Sequence, residues 1–364
     1  MENRIKNVDF LRFIFAVMIV MYHIRNYNAL HVSNFGLAGI DNWCICVDFF
    51  FIISGFFLFK NFNIATDTFD FAKKRFLRLA PLVWLVILLF AIINLFVNVN
   101  YTFDGNILRL FLLNCIGVTR SVEIGGEKLG VTWFVSVLFW VSLFYFYLAK
   151  ILEKKYLNLT IWIIIFFSYC MYLNRSNFVF GSISANIYSV FNKGMLRGFA
   201  GIGVGYFLSM FYNSGFLKTV TKFEKIVISV VEIILAYYLF YNLMFNPHII
   251  GSTHITYILL FIILFYLFLT KNGIISKLLD NNFSELLGSW SYAIFVMHIF
   301  ILAIFRRIIY VKNILFVENN LFIFFICYII SAILFGIIVH YIFEKPINKL
   351  IKNKLPHHPS TGKI

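Results

Sequence analysis

Asn7-Val-Asp-Phe-Leu-Arg-Phe-Ile-Phe-Ala-Val-Met-Ile-Val-Met-Tyr-His23 is a run of membrane-spanning length whose apolar character is broken by Asp9, Arg12 and His23. A bilayer core of about 30 Å is crossed by about 20 apolar residues in a helix. Arg4 and Lys6 precede the run much as they would in a secretion signal. No small-residue cleavage site follows, however, and the three ionisable groups interrupt the stretch, so it reads as an uncleaved span.

The same reading along the chain predicts spans near 8–28, 43–59, 79–97, 131–149, 158–173, 194–213, 226–245, 254–270, 286–305 and 321–343. The second and fifth are short enough to be tilted or partly re-entrant. The long connection 98–130 contains an apolar run, Ile107–Ile116, expected to lie as an interfacial helix. Residues 1–346 read as one membrane domain and 347–364 as a polar cytoplasmic tail. Pro346 is expected to end the last helix, and Leu355-Pro-His-His-Pro to be a solvated end. The fold class is therefore all-α: a polytopic bundle of about ten transmembrane helices.

Composition supports this. Of 364 residues, 61% are hydrophobic and 13% charged, whereas soluble domains carry about 45–50% and about 25%. The formal charge of +15 suggests nucleic acid at first sight. Its placement answers otherwise: with the N-terminus in the cytoplasm, 20 of the 31 Lys and Arg fall on the inner side and 9 on the outer, and Arg12 and Arg197 lie within spans. That bias predicts both termini in the cytoplasm and no nucleic-acid partner. Cys44, Cys46, Cys115, Cys170 and Cys327 lack metal-ligand spacing and read as small buried hydrophobes; no metal site is expected.

Ionisable groups inside a span cost several kcal/mol and therefore need partners or a function. On a helix Arg12 lies about 60° and His23 about 40° from Asp9, so all three share one face. Asp9 and Arg12 can be a simple i,i+3 ion pair. His23, about 21 Å along the axis from Asp9, is either a hydrogen-bonded packing residue or a proton-transfer group. Asp48 lacks a basic residue within seven positions in its own segment and needs a partner from another helix, for which a cavity-facing His is suitable. Ser54 and Gly55 follow it. Arg75 and Arg78 share a helix face before Pro81, a spacing suited to phosphate as well as to an inner-side anchor. Trp133 and Ser136 open span four, His298 lies seven residues after Ser291 in span nine, and Glu344 closes span ten. Glu232 and Arg197 read as structural.

In order, Asn7-Val-Asp-Phe-Leu-Arg12, His23, Val47-Asp-Phe-Phe-Phe-Ile-Ile-Ser-Gly55, Arg75-x-x-Arg78-x-x-Pro81, Trp133-Phe-x-Ser136, Leu287-Gly-Ser-Trp-Ser-Tyr292 with His298, and Tyr341-x-Phe-Glu-Lys-Pro346 resemble acyltransferase family 3 of integral membrane proteins. Cys46 stands where the family usually has Gly. The resemblance implies transfer of an acyl group, most often acetyl, from cytoplasmic acyl-CoA to a hydroxyl of a surface or lipid-linked glycan, in the cytoplasmic membrane of a bacterium. It implies His23 as base or transient acyl acceptor, with Asp48 or Asp9 orienting its imidazole. It also implies Arg12, Arg75 and Arg78 as the site for the phosphates of acetyl-CoA. Ser54, Trp133, Ser136, His298 and Glu344 are further candidates. A proton-coupled transporter or flippase is the rival reading, because buried Asp, Arg and His also serve transport. The inverted repeat and broken spans that would favour it are not evident in the sequence.

Overall fold

Long apolar runs separated by short polar connections form helices because only a helix satisfies its own backbone in a bilayer. The computed structural model describes residues 4–25, 38–97, 122–124, 127–129, 131–174, 186–188, 191–246, 252–311 and 321–354. In chain order the helices are α1 (Lys6–Arg25), a 3-10 turn (Ala38–Ile45) running into α2 (Cys46–Lys60), α3 (Thr68–Val97), α4 (Thr132–Ile151), α5 (Lys154–Asn174) and α6 (Lys193–Ser214). They continue with α7 (Lys222–Phe245), α8 (Ser252–Thr270), the short α9 (Ile274–Leu278), α10 (Asn282–Val311), α11 (Leu321–Val339), a π-helical turn (His340–Glu344) and α12 (Lys345–Lys354). Two short antiparallel pairs, Val122–Ile124 with Glu127–Leu129 and Asn186–Tyr188 with Phe191–Asn192, lie in the connections. Ile107–Ile116, Cys115 and Leu355-Pro-His-His-Pro fall outside the described residues.

Ten of the described helical segments are long and apolar enough to cross a membrane. The second, read from sequence as short, reaches 23 residues because the 3-10 turn continues into α2. The third begins well before 79. Asp67 caps α3, its Oδ2 accepting the Phe69 N–H at 2.9 Å, so the amphipathic stretch carrying Arg75 and Arg78 is helical as well. Pro81 sits inside α3 without ending it. Thr221 and Glu224 form a reciprocal capping box that starts α7.

The end of the chain departs from the sequence reading. Pro346 does not stop the helix; it lies in the first turn of α12, where its missing N–H costs least. The π turn before it, closed by the Lys345 N–H on the His340 carbonyl, widens the coil ahead of the proline ring. The first part of the expected polar tail is thus helical.

The helices pack chiefly as α2 on α6, α1 on α10, α10 on α11 and α5 on α6. The α2–α6 contact is backbone to backbone: a Cβ at Gly55 would collide with Ile202, and one at Gly205 with Ile52 and Phe56. Small residues are how apolar helices approach closely in a membrane. Phenylalanine fills the centre, where Phe49 of α2 stacks on Phe261 of α8 at 3.9 Å and Phe15 of α1 lies against both. Trp162 and Phe166 on α5, Ile233 and Tyr237 on α7, and Ile330 and Leu334 on α11 point outward, as lipid-facing side chains do. Cys44 and Cys46 are buried as expected, but Cys170 and Cys327 are exposed on that outer surface.

Candidate active site

Helix α1 carries its ionisable residues at two depths, and each depth meets a different set of neighbours. At its N-terminal end Asp9, 4% exposed, is held by Arg4 through Nε and by Arg12, whose Nη1 lies 3.3 Å from Oδ1. Glu285 of α10 completes the group, with Arg4 Nη1 at 3.5 Å and Lys6 Nζ at 3.4 Å. Gly288 lets α10 approach, since a Cβ there would strike Asp9. Asn7 ties the same turn to α8 and α9 by donating to the carbonyls of Phe268, at 2.7 Å, and Ser276, at 3.1 Å.

Helix α3 brings two more cations to this end. Arg78 is close enough to Arg12 for their charges to interact, and Arg75 likewise to Arg78. The Tyr292 hydroxyl donates to the Leu79 carbonyl at 2.7 Å and pins α10 to α3 beside Arg78. Arg75 lies over the Phe71 ring at 5.8 Å, and its Nε is buried without a hydrogen-bonding partner among the described residues. Arg4, Lys6 and Arg12 pair with Asp9 and Glu285, and Arg78 and Arg75 extend the group with further positive charge and an unspent guanidinium donor. Such a site suits a polyanion.

Eleven residues deeper on α1, about 16 Å along its axis, His23 is half-buried. Its ring lies 5.2 Å from that of His298 on α10, tilted by 36°, with Tyr22 edge-on at 5.3 Å. The Nδ1–H of His298 donates to the Ile294 carbonyl at 3.3 Å. A half-buried and a fully buried imidazole therefore meet on the α1–α10 contact.

Asp48 does not join it. The carboxylate, 1% exposed, is clamped by Arg197 of α6, with Nε at 2.9 Å from Oδ1 and Nη2 at 2.7 Å from Oδ2. The same Nη2 donates to the Cys44 carbonyl at 2.7 Å. His254 of α8 approaches Oδ2 at 3.5 Å, Trp133 of α4 lies 5.8 Å from the guanidinium, and Tyr172 of α5 packs 5.8 Å from the His254 ring. The expectation that Asp48 or Asp9 orients His23 is thus corrected: arginines engage both carboxylates, and Asp9 lies about 21 Å along α1 from His23. Asp48 does find its partner on another helix, and that partner is Arg197 with His254 rather than His23.

The remaining candidates are dispersed. Ser136 is buried with Oγ unpartnered among the described residues. Ser54 is half-buried on α2. Glu344 sits in the π turn, where its Oε2 meets His340 Nδ1 at 2.7 Å. Glu232 caps α9, accepting the N–H groups of Ile275 and Ser276 at 2.9 and 3.2 Å, which suits its structural reading. Sequence reasoning read Arg4 only as a flanking positive charge and passed over His254 and His340. A signal for His254 existed, because an ionisable residue within a predicted span requires an account.

No curated protein and no solved structure matches the chain. A family model described as an acyltransferase domain matches residues 5–341. That range runs from the arginine-ringed Asp9 through the imidazole pair to the π turn, and with ten membrane-length helices carrying these groups the chain belongs to acyltransferase family 3, as a multi-pass membrane acyltransferase.

Proposed function

We propose that the protein is an O-acyltransferase that moves an acyl group, acetyl in the first instance, from cytoplasmic acyl-CoA to a hydroxyl of a surface or lipid-linked polysaccharide in a bacterial cytoplasmic membrane. The observation that carries this reading is the stacking of two sites on one helix: an arginine cluster at the N-terminal end of α1 and an imidazole about 16 Å further in. The spacing matches the architecture of the donor, whose phosphates and thioester are separated by an extended pantetheine arm. Arg12, Arg75 and Arg78 would hold the phosphates, and the Lys/Arg bias of the connections supports a cytoplasmic side for this end.

The chemistry then balances simply. A ring nitrogen of His23 takes the proton of the acceptor hydroxyl as its oxygen attacks the thioester carbonyl. The C–S bond breaks, the CoA thiolate leaves, and the imidazolium returns the proton to sulfur, giving ester and free CoA. Asp9 keeps Arg4 and Arg12 in place; it is a scaffold for the phosphate site and takes no part in the proton transfer.

The test uses protein in liposomes with radiolabelled acetyl-CoA, wild type beside His23→Ala. Free CoA and labelled glycan should form with the wild type only. Equal turnover by the variant would refute the role of His23, and absence of turnover with any envelope glycan would refute the donor assignment.

A further inference from the structure

The two carboxylates read from sequence as orienting His23 are engaged elsewhere in the fold. Asp48 spends both oxygens on Arg197, and Asp9 spends its own on Arg4 and Arg12. Among the described residues His298, fully buried on α10, stands beside His23.

Its protonation pattern follows from its contacts. A backbone carbonyl can only accept, so the Nδ1 that bonds to the Ile294 oxygen carries the proton. In the neutral ring Nε2 is then a bare lone pair. It is buried, and no hydrogen-bonding partner meets it among the described residues. A buried acceptor left without a donor is destabilising, so this one asks for a donor that arrives during the working cycle. The His23 ring is placed to supply one. A ring nitrogen lies about 1.2 Å from its ring centre, so an in-line N–H···N bond of about 2.9 Å puts two centres roughly 5.3 Å apart. The observed separation is 5.2 Å, and a rotation of the tilted His23 ring completes the bond.

Building on the acyl-transfer reading, we propose that His298 is the positioning residue for His23. Its Nε2 accepts the His23 ring N–H, fixes which nitrogen of His23 stays bare toward the acceptor hydroxyl, and shares the proton load when His23 becomes imidazolium. A second imidazole, its own tautomer locked by a main-chain oxygen, then does for His23 the orienting that a carboxylate does elsewhere.

Three measurements on the full chain in bilayers test this. First, ¹⁵N-histidine solid-state NMR should show a through-bond coupling between the His23 and His298 ring nitrogens, lost in His298→Leu. Second, His298→Leu should lower kcat roughly 10²–10³-fold while leaving KM for acyl-CoA within about twofold, the range expected when a base loses its orienting partner. Third, His298→Gln, which restores an acceptor at the same reach, should recover at least a tenth of the lost rate; unfolding midpoints of both variants guard against a folding defect. The proposal falls if the coupling is absent, if Leu at 298 leaves kcat unchanged while His23→Ala abolishes it, or if Gln rescues nothing in a folded protein. Coupling present in a wild type that transfers no acyl group would keep the imidazole pair and sink the acyl-transfer reading, so the two failures are distinct.

Discussion

Removing Arg197 should destabilise the bundle severely, and removing Asp48 with it should restore most of the loss. Arg197→Met deletes both arms of the clamp, at 2.9 and 2.7 Å, and the donor to the Cys44 carbonyl at 2.7 Å. What remains is a carboxylate 1% exposed, with the His254 ring 3.5 Å from its Oδ2. Breaking a buried pair from one side costs about 3–5 kcal/mol, because the survivor is left uncompensated. That is a large part of the roughly 5–15 kcal/mol by which folded domains are stable. Asp48→Leu should cost about as much, by stranding the guanidinium.

The double variant, Asp48→Leu with Arg197→Met, leaves neither charge; its residual penalty is the orphaned Cys44 carbonyl, about 1–3 kcal/mol. The single effects therefore sum to about 6–10 kcal/mol against a measured double of about 1–3, a strongly non-additive cycle. Denaturant midpoints in bicelles, followed by tryptophan fluorescence, would read it. Additive effects, or a stable Arg197→Met, would refute the buried-pair account. The same proteins report on chemistry: a folded double variant that still transfers acyl groups confines Asp48 to the scaffold, and a folded one without turnover returns it to catalysis.

Other expectations are simpler. Gly288→Val should push α10 off α1, because its Cβ would strike Asp9, costing about 1–3 kcal/mol and lowering the yield of folded protein on size exclusion; a wild-type elution profile would contradict that contact. Arg75→Ala and Arg78→Ala should each raise KM for acyl-CoA about tenfold with kcat nearly unchanged, and weaken its dependence on salt; unchanged KM in both would move the phosphate site elsewhere. The Phe69 N–H holds the exposed Asp67 carboxyl below its usual range. A depressed folded-state value stabilises above the unfolded pKa of about 3.9 and is lost as pH falls through the folded one, so Asp67→Asn, which keeps the cap, should flatten stability below about pH 4. An unchanged acid limb would remove Asp67 from that account.

The number and positions of the spans were legible because bilayer thickness dictates length and hydropathy, and both are local properties of the chain. The Asp9–Arg12 pair was legible too, being one helical turn apart. Two kinds of information were out of reach. Helix start signals can lie outside the apolar window, as Asp67 does for α3, and a proline that reads as a stop can open a new helix, as Pro346 does for α12. Pairings between distant segments depend on which helices adjoin. Asp48 and Arg197 are 149 residues apart, and the sequence, which required a partner for Asp48 from another helix, pointed to a cavity-facing His and left Arg197 as structural. His298 could be placed on its own helix face but not against α1.

The three polar groups divide the bundle's work by helix pair. Asp48 with Arg197 fastens α2 to α6 where the glycines already bring the backbones together, and charge complementarity there fixes a register that apolar packing between uniform Phe- and Ile-rich faces leaves loose. The groups assigned to chemistry lie instead on the α1–α10 contact, with α3 adding cations at one end. Along that contact the arginine layer and the imidazole layer share one rigid helix, α1, so the distance between phosphate site and base is set by helix rise and not by loop conformation. An insertion of one residue between Arg12 and His23 would rotate the imidazole by about 100° away from His298 while changing the axial distance by about 1.5 Å. Loss of turnover on that insertion, with acyl-CoA binding retained, follows from the geometry. Retained turnover would mean that the two layers do not act through α1.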